Sequence, residues 1–222
     1  MTAWASYDGS TIVSGRVTIP FWGTWCADVT LSSSAAVASQ APLVIGDLTL
    51  LGAVTRSVPY AGSRTVRLVG GAGGWRQMVP ARAYASPAGV RLSMVLKDVA
   101  TEVGETVAFF GPADSIGLAY VREAGPAQRV LRQLAGELWW ITPAGVTAIQ
   151  GTRDVSLIKS AFDVLDYRGA SGRVHVATEV LADWMPGRTF TAPTLEGATL
   201  GIGAVSLDFT TDGKARLEVL SS

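Results

Sequence analysis

The sequence holds one histidine, His175, and one cysteine, Cys26, among 222 residues, so few groups are available for reactive chemistry. A Ser-His-Asp triad can be built on a single histidine acting as general base. His175, however, alternates with Val174 and Val176, so if the valines face the core the histidine faces away. No Gly-x-Ser-x-Gly elbow and no His-Glu-x-x-His pair occurs. The expectation is an exposed strand histidine. A lone cysteine excludes an intramolecular disulfide and zinc sites built on Cys-x-x-Cys.

The run Gly70-Gly71-Ala72-Gly73-Gly74 could cradle a phosphate on backbone N–H groups. A P-loop would end in Gly-Lys-Ser/Thr, so that ammonium and hydroxyl reach phosphate and metal, but here the chain continues Trp75-Arg76-Gln77. The dinucleotide pattern fails too, because Arg76 stands at the third glycine position after Gly71 and Gly73. A flexible turn or a close backbone approach is expected instead. Asp163 and Asp166 lie three apart, as do Glu102 and Glu105. Paired acid chemistry depends on spatial separation, and 18 scattered acids produce such spacings by chance. No EF-hand pattern is present. The sequence therefore assigns no catalytic residue, no metal ligand and no cofactor, and the chain reads as a non-enzyme.

Seven tryptophans (Trp4, Trp22, Trp25, Trp75, Trp139, Trp140 and Trp184) are many for this length. Tryptophan fills cores, anchors protein interfaces and stacks on sugars. Trp22, Trp25, Trp75, Trp139, Trp140 and Trp184 are the candidate packing or interface anchors. Trp139 and Trp140 are adjacent in a predicted strand and must point to opposite faces.

The composition is 48% hydrophobic and 16% charged, with mean hydropathy +0.31. Ordinary domains carry about 25% charged residues, and mixed surface charge keeps free monomers soluble. This balance favours a chain that hides part of its surface against partners. The 18 basic and 18 acidic residues cancel, and the basic ones are scattered singly. Direct nucleic-acid binding, which needs a clustered basic surface, is not expected. No signal peptide and no apolar run of about 18 residues is found. The expectation is a protein made and folded in a cytoplasm, without a membrane span.

The elements that would position these groups read mostly as β, in short alternating runs separated by Gly, Pro, Asp and Ser. Asp8-Gly9 turns into residues 11–19, followed by residues 21–31 with Trp25, Ala27, Val29 and Leu31 on one face. Residues 43–55 form a bent or hairpinned pair around Gly46-Asp47, and residues 65–69 a short strand. The middle is helical. Ser93 is expected to cap a helix running to about residue 103, with Gly104 stopping it. A second helix starts at Pro126, buries Val130, Leu131 and Leu134, and ends at Gly136. Residues 138–149 read as a hairpin around Thr142-Pro143-Ala144-Gly145. Asp212-Gly213 joins two alternating runs at the end.

Several of these passages resemble the tail hub proteins of bacteriophages. Gly15-Arg16-Val17-Thr18-Ile19-Pro20-Phe21-Trp22-Gly23-Thr24-Trp25 is similar to their first barrel, and residues 96–105 to the helical segment that follows it. Residues 130–140, the turn and Gly151-Thr152-Arg153 resemble their passage from helix through Trp-Trp and hairpin to Gly-x-Arg. Met185-Pro186-Gly187-Arg188-Thr189-Phe190 is similar to the element before their last strands. The resemblance implies a mainly β fold with a small α/β insertion: two small β-barrels flanking a helical subdomain. The expected division is a first barrel over 1–76, a helical insertion over 77–136 and a second barrel over 137–222. It implies a structural subunit of the baseplate or tail-tip hub ring, joining the tail tube to the spike or fibre complex. Its partners would be its own copies (a trimer, with a hexamer as alternative), the tube or a distal tail protein, and spike or fibre proteins. The protein would assemble in the host cytoplasm and reside in the virion, any lytic activity belonging to a partner. A receptor- or carbohydrate-binding module at the tail tip is the competing reading.

Overall fold

The computed structural model describes residues 4–111, 114–195, 197–213 and 215–221. Residues 1–3, which open the expected first domain, and residue 222, which ends the last, lie outside the described residues. The N-terminal strands are β1 (Ala5–Tyr7), β2 (Ser10–Pro20), β3 (Cys26–Leu31), β4 (Gln40–Ile45), β5 (Leu48–Tyr60) and β6 (Ser63–Gly70). The middle holds β7 (Met78–Val79), β8 (Arg82–Ala85), α1 (Leu92–Glu102), β9 (Val107–Phe109), β10 (Ala119–Arg122), β11 (Gly125–Pro126) and α2 (Ala127–Ala135). Then follow β12 (Trp139–Ile141), β13 (Thr147–Ile149), β14 (Phe162–Arg168), β15 (Arg173–Thr178), β16 (Thr189–Thr191), β17 (Thr199–Thr210) and β18 (Ala215–Ser221).

Strict alternation makes β3 what it is. Trp25, Ala27, Val29 and Leu31 are buried, while Asp28 between them is exposed. Comparable faces on the neighbouring strands bury Ile12, Val17, Leu43, Ile45, Leu50, Val66 and Leu68. The antiparallel pairings β1–β4–β5–β6–β3–β2–β1 return to their start, so these six strands form a closed barrel. Closure removes free edges from most of its length. Tight turns connect it: Gly46 between β4 and β5 has φ +56°, a left-handed conformation that glycine takes without steric cost.

Strand β2 does double duty. Its first residues pair with β1, and Ser14–Pro20 pair with Thr210–Ala204 of β17. The sheet therefore runs on from the barrel through β17, β18, β15 and β14, with β16 attached to β17. Among the described residues this extension does not close by main-chain pairing: β14 has β15 on one side and no strand on the other. Its inner face buries Val174, Val176, Val205, Leu207, Phe209, Leu217 and Val219.

Helices α1 and α2 pack on one another, and Leu92, Val95, Leu96 and Val99 of α1 are buried. Ser93 makes no cap. The N-cap residue is Arg91, held extended by its bridge to Ser115, so the helix begins one residue before Ser93. Pro126 likewise precedes α2 rather than starting it, because it pairs with Met78 between β11 and β7. Gly104 (φ +70°) and Gly136 (φ +60°) follow the helices as expected. Residues 21–25 are not strand. Gly23 N–H donates to Trp139 O at 2.6 Å and Gly23 O accepts from Ile141 N–H at 3.1 Å, which ties the barrel to β12.

Candidate functional site

The glycine-rich run is a nest of backbone donors, and the protein fills it with its own carboxylate. Glu105, just beyond α1, accepts from Gly74 N–H at 2.7 Å through Oε1 and from Ala72 N–H at 3.2 Å through Oε2. Burial pushes the Glu105 carboxyl above its ordinary value, against the opposing pull of the backbone N–H groups of residues 72–75. A Cβ on Gly74 would collide with Val103 O, and one on Gly71 would lie 2.7 Å from the Glu105 carboxylate. The glycines thus serve a close backbone approach, and the cradle is not available to a phosphate.

His175 is only 7% exposed, contrary to the expectation from alternation. Val174 and Val176 do face the core, but the outer side of β15 is covered by longer polar side chains. His175 Nε2 lies 3.0 Å from Glu218 Oε2, Nδ1 lies 3.7 Å from Asp166, and Arg216 Nη2 is 3.2 Å from Nδ1. The Glu218 carboxyl is held below its ordinary value, first by this bond to His175. No serine, threonine or cysteine hydroxyl or thiol is bonded to the ring among the described residues, so the arrangement is a network of polar side chains and not a triad. Glu102 is also structural: with Asp98 it surrounds Arg122, whose side chain is fully buried, at 2.8 Å and 3.8 Å.

The chain itself covers most of the candidate anchors. Trp25 packs against Gly52 and Gly70, where any Cβ would collide with the indole. Trp75 Nε1–H donates to Thr147 Oγ1 at 2.9 Å. Trp184 sits among Phe162 and Phe190, with ring centroids at 5.0 Å and 5.3 Å. Trp139 and Trp140 point to opposite faces and both are buried. Trp140 meets Trp22, the one candidate left half-exposed, at 5.6 Å. Exposed apolar surface lies elsewhere, at Met78, Phe110, Leu118, Val121, Val155 and Leu165. Exposed aromatic side chains are also found at Tyr60 and Tyr167.

Arg153, whose role spacing did not reveal, joins three segments. It donates to Phe21 O at 2.6 Å, Pro20 O at 3.1 Å and Pro186 O at 3.3 Å. Its guanidinium lies over the Phe21 and Trp140 rings at 5.3 Å and 5.0 Å. Burial lowers its pKa to about 10, which still leaves it cationic at neutral pH.

The most extended polar feature is a row of charges on the outer face of the continuous sheet. Pairing places Arg56 opposite Arg67, Arg67 opposite Asp28, Asp28 opposite Arg16, Arg16 opposite Asp208 and Asp208 opposite Arg216. One register step beyond Val176–Leu217 sets Arg216 against Ala177, and Ala177 pairs with Asp163. The row crosses eight strands. Individually scattered charges in the sequence are thus collected into one line by the sheet.

No protein-family model and no curated protein sequence matches the chain. Solved structures do. The c3393 protein of E. coli is a component of the type VI secretion system with structural similarity to the T4 bacteriophage tail proteins gp27 and gp5. It matches at TM-score 0.66 and 11% identity, over 98% of this chain and 74% of its own. A tail protein from Neisseria meningitidis MC58 matches at TM-score 0.63 and 12% identity, over 95% and 92% of the two chains. The 43 kDa tail protein of prophage MuSo2 from Shewanella oneidensis gives 0.63 and 11%, over 97% and 96%. Identities this low speak for architecture alone: the fold of this chain, from its closed barrel to its C-terminal strands, is similar to that of these two tail proteins and of the secretion-system component.

Proposed function

We propose that the chain is a structural, non-enzymatic subunit of a phage-type tail, several copies of which close a hub ring between the tail tube and a distal spike or fibre complex. The observation that carries this reading is the end-to-end likeness to two tail proteins and to a secretion-system component that itself resembles tail proteins, which spans at least 95% of this chain in each of the three comparisons. Three features support it. The composition is poor in charge, exposed apolar residues remain between Met78 and Val121 and after β13, and among the described residues the reactive groups are tied into hydrogen bonds and ion pairs of the fold. Assembly in the host cytoplasm and residence in the virion follow from the same reading. In a trimer, the barrel and the C-terminal sheet of each copy would alternate around the axis, the latter in place of a second barrel.

Native mass spectrometry at micromolar concentration tests it, with electron microscopy to count the symmetry. Trimers, or hexamers, are expected. A stable monomer under all salt conditions would remove the reading. Calorimetric titration with cell-wall saccharides separates the receptor-binding alternative: heat that disappears in Trp22→Ala would favour that module over a ring.

A further inference from the structure

The charge row is unbalanced at its two ends. At one end Arg56 and Arg67 face each other as a cross-strand pair, an arrangement that is destabilising for like charges. The nearest carboxylate, Asp28, reaches Arg67 at 3.6 Å, and Arg56 makes no ion pair among the described residues. Both arginines line an open groove of about 290 Å³ with Asp28, Val58 and Thr65. At the other end, on β14, Asp163 is exposed and makes no ion pair among the described residues, while Asp166 on the same face is already paired with Arg168 at 3.1 Å.

These ends are also the free edges of the sheet. Pairing of β5 with β4 stops at Ala53, so residues 55–60 have only β6 beside them. The outer edge of β14 is likewise unpaired. The eight strands from β5 to β14 are antiparallel throughout, so the two end strands run in opposite directions. A second copy placed head to tail would therefore continue the antiparallel alternation. Each edge is blunted, by Pro59 in β5 and by the bulge at Leu165 in β14, which are devices against indiscriminate pairing. Charge then has to choose the register.

We infer that the β14 edge of one copy pairs with residues 55–58 of the next, the Asp163 carboxylate neutralising the Arg56–Arg67 pair. The contact is heterologous, and repeated head to tail it closes a ring; in this respect the inference rests on the ring reading above. Within the joined sheet the row has an anion beside the cation that lacked one. The arginines are the donors, the carboxylate the acceptor, and complementary charge across the joint sets the register.

The test is charge reversal on the full chain, read by native mass spectrometry, with circular dichroism and melting temperature confirming folded monomers. Arg56→Glu and Asp163→Lys each should lower the assembled fraction about tenfold, the effect expected when a charge pair of roughly 1.4 kcal/mol is lost. The double variant should recover most of it. Hydrogen exchange should show protection of residues 55–58 and 162–168 in rings and its loss in either single variant. Rings that persist in both single variants, or a double variant that does not recover, overturn the inference and leave the ring reading standing. A wild-type chain that never assembles overturns both.

Discussion

Arg16 and Asp208, 192 positions apart, meet as a two-pronged ion pair on neighbouring strands: Arg16 Nε donates to Oδ1 at 2.6 Å and Nη2 to Oδ2 at 2.8 Å. The pair straddles the joint at which the barrel sheet passes into the C-terminal sheet. It lies in solvent, where a single ion pair adds little to folding. Arg16→Ala should therefore leave the melting temperature essentially where it was. Asp208→Arg is different, because it would place three cations side by side, at positions 16, 208 and 216. Amide exchange across β2 and β17 should then quicken, and unchanged protection there would show that the row contributes nothing to the joint.

Glu105 holds the glycine-rich loop, and its removal should be costly. Glu105→Ala leaves buried N–H groups at Ala72 and Gly74 without acceptors, at about 3 kcal/mol for the set. Chemical denaturation measures the loss, and the amide protons of residues 72–75 should lose protection before those of the barrel. Glu105→Gln, which keeps one acceptor oxygen, should fall between.

Gly74→Ala should be worse than its size suggests. The new methyl would have to displace backbone, the Val103 carbonyl, and not a flexible side chain. A loss of about 3 kcal/mol or more is expected. Gly62→Ala is the control for glycine replacement in open space. Gly62 has a positive φ of +82°, but no atom stands within 4 Å of where the methyl would sit, so only backbone strain of about 1 kcal/mol applies there.

Trp25→Ala should cost about 3–5 kcal/mol, the range for emptying an aromatic site in a core. Because Gly52 and Gly70 leave room for the indole, the pair Trp25→Ala with Gly52→Ala should be less damaging than the sum of its parts. A double-mutant cycle by urea unfolding reads the coupling.

Burial pushes the Tyr7 phenol up to about 12, with Asp8 adding to the shift. Because the folded value lies above the ordinary 10.0, the associated stability is complete below pH 10 and is lost as pH rises towards 12. Alkaline unfolding should shift to higher pH in Tyr7→Phe. Tyr84, also raised to about 12 by burial and by its bond to Asp98, should titrate late alongside Tyr7 in the wild-type absorbance curve.

Local features were legible in the sequence wherever local rules decide the outcome. The buried face of β3 follows from alternation, both helix ends at Gly104 and Gly136 from glycines that accept a positive φ, and the final hairpin from Asp212-Gly213. What escaped depends on which strands become neighbours. Nothing near His175 announces Arg216 or Glu218, which reach it from a strand 41 and 43 positions on. The filling of the glycine nest by Glu105 needed α1 to bring that residue back across 31 positions. The tryptophans Trp25, Trp139, Trp140 and Trp184 are buried, and their cover comes from within the chain, from segments the local sequence does not name.

Strand β2 belongs to the barrel along one edge, which pairs with β3 from Ile12 to Thr18, and to the C-terminal sheet along the other. A pull that separates the two halves therefore acts on a row of main-chain hydrogen bonds between Ser14–Pro20 and Thr210–Ala204. When the load runs along the strands, these bonds are sheared together and not peeled one by one. Side-chain packing between two separate lobes could slide; a shared ribbon of this kind makes the molecule a rigid bracket, suited to passing mechanical force without hinging.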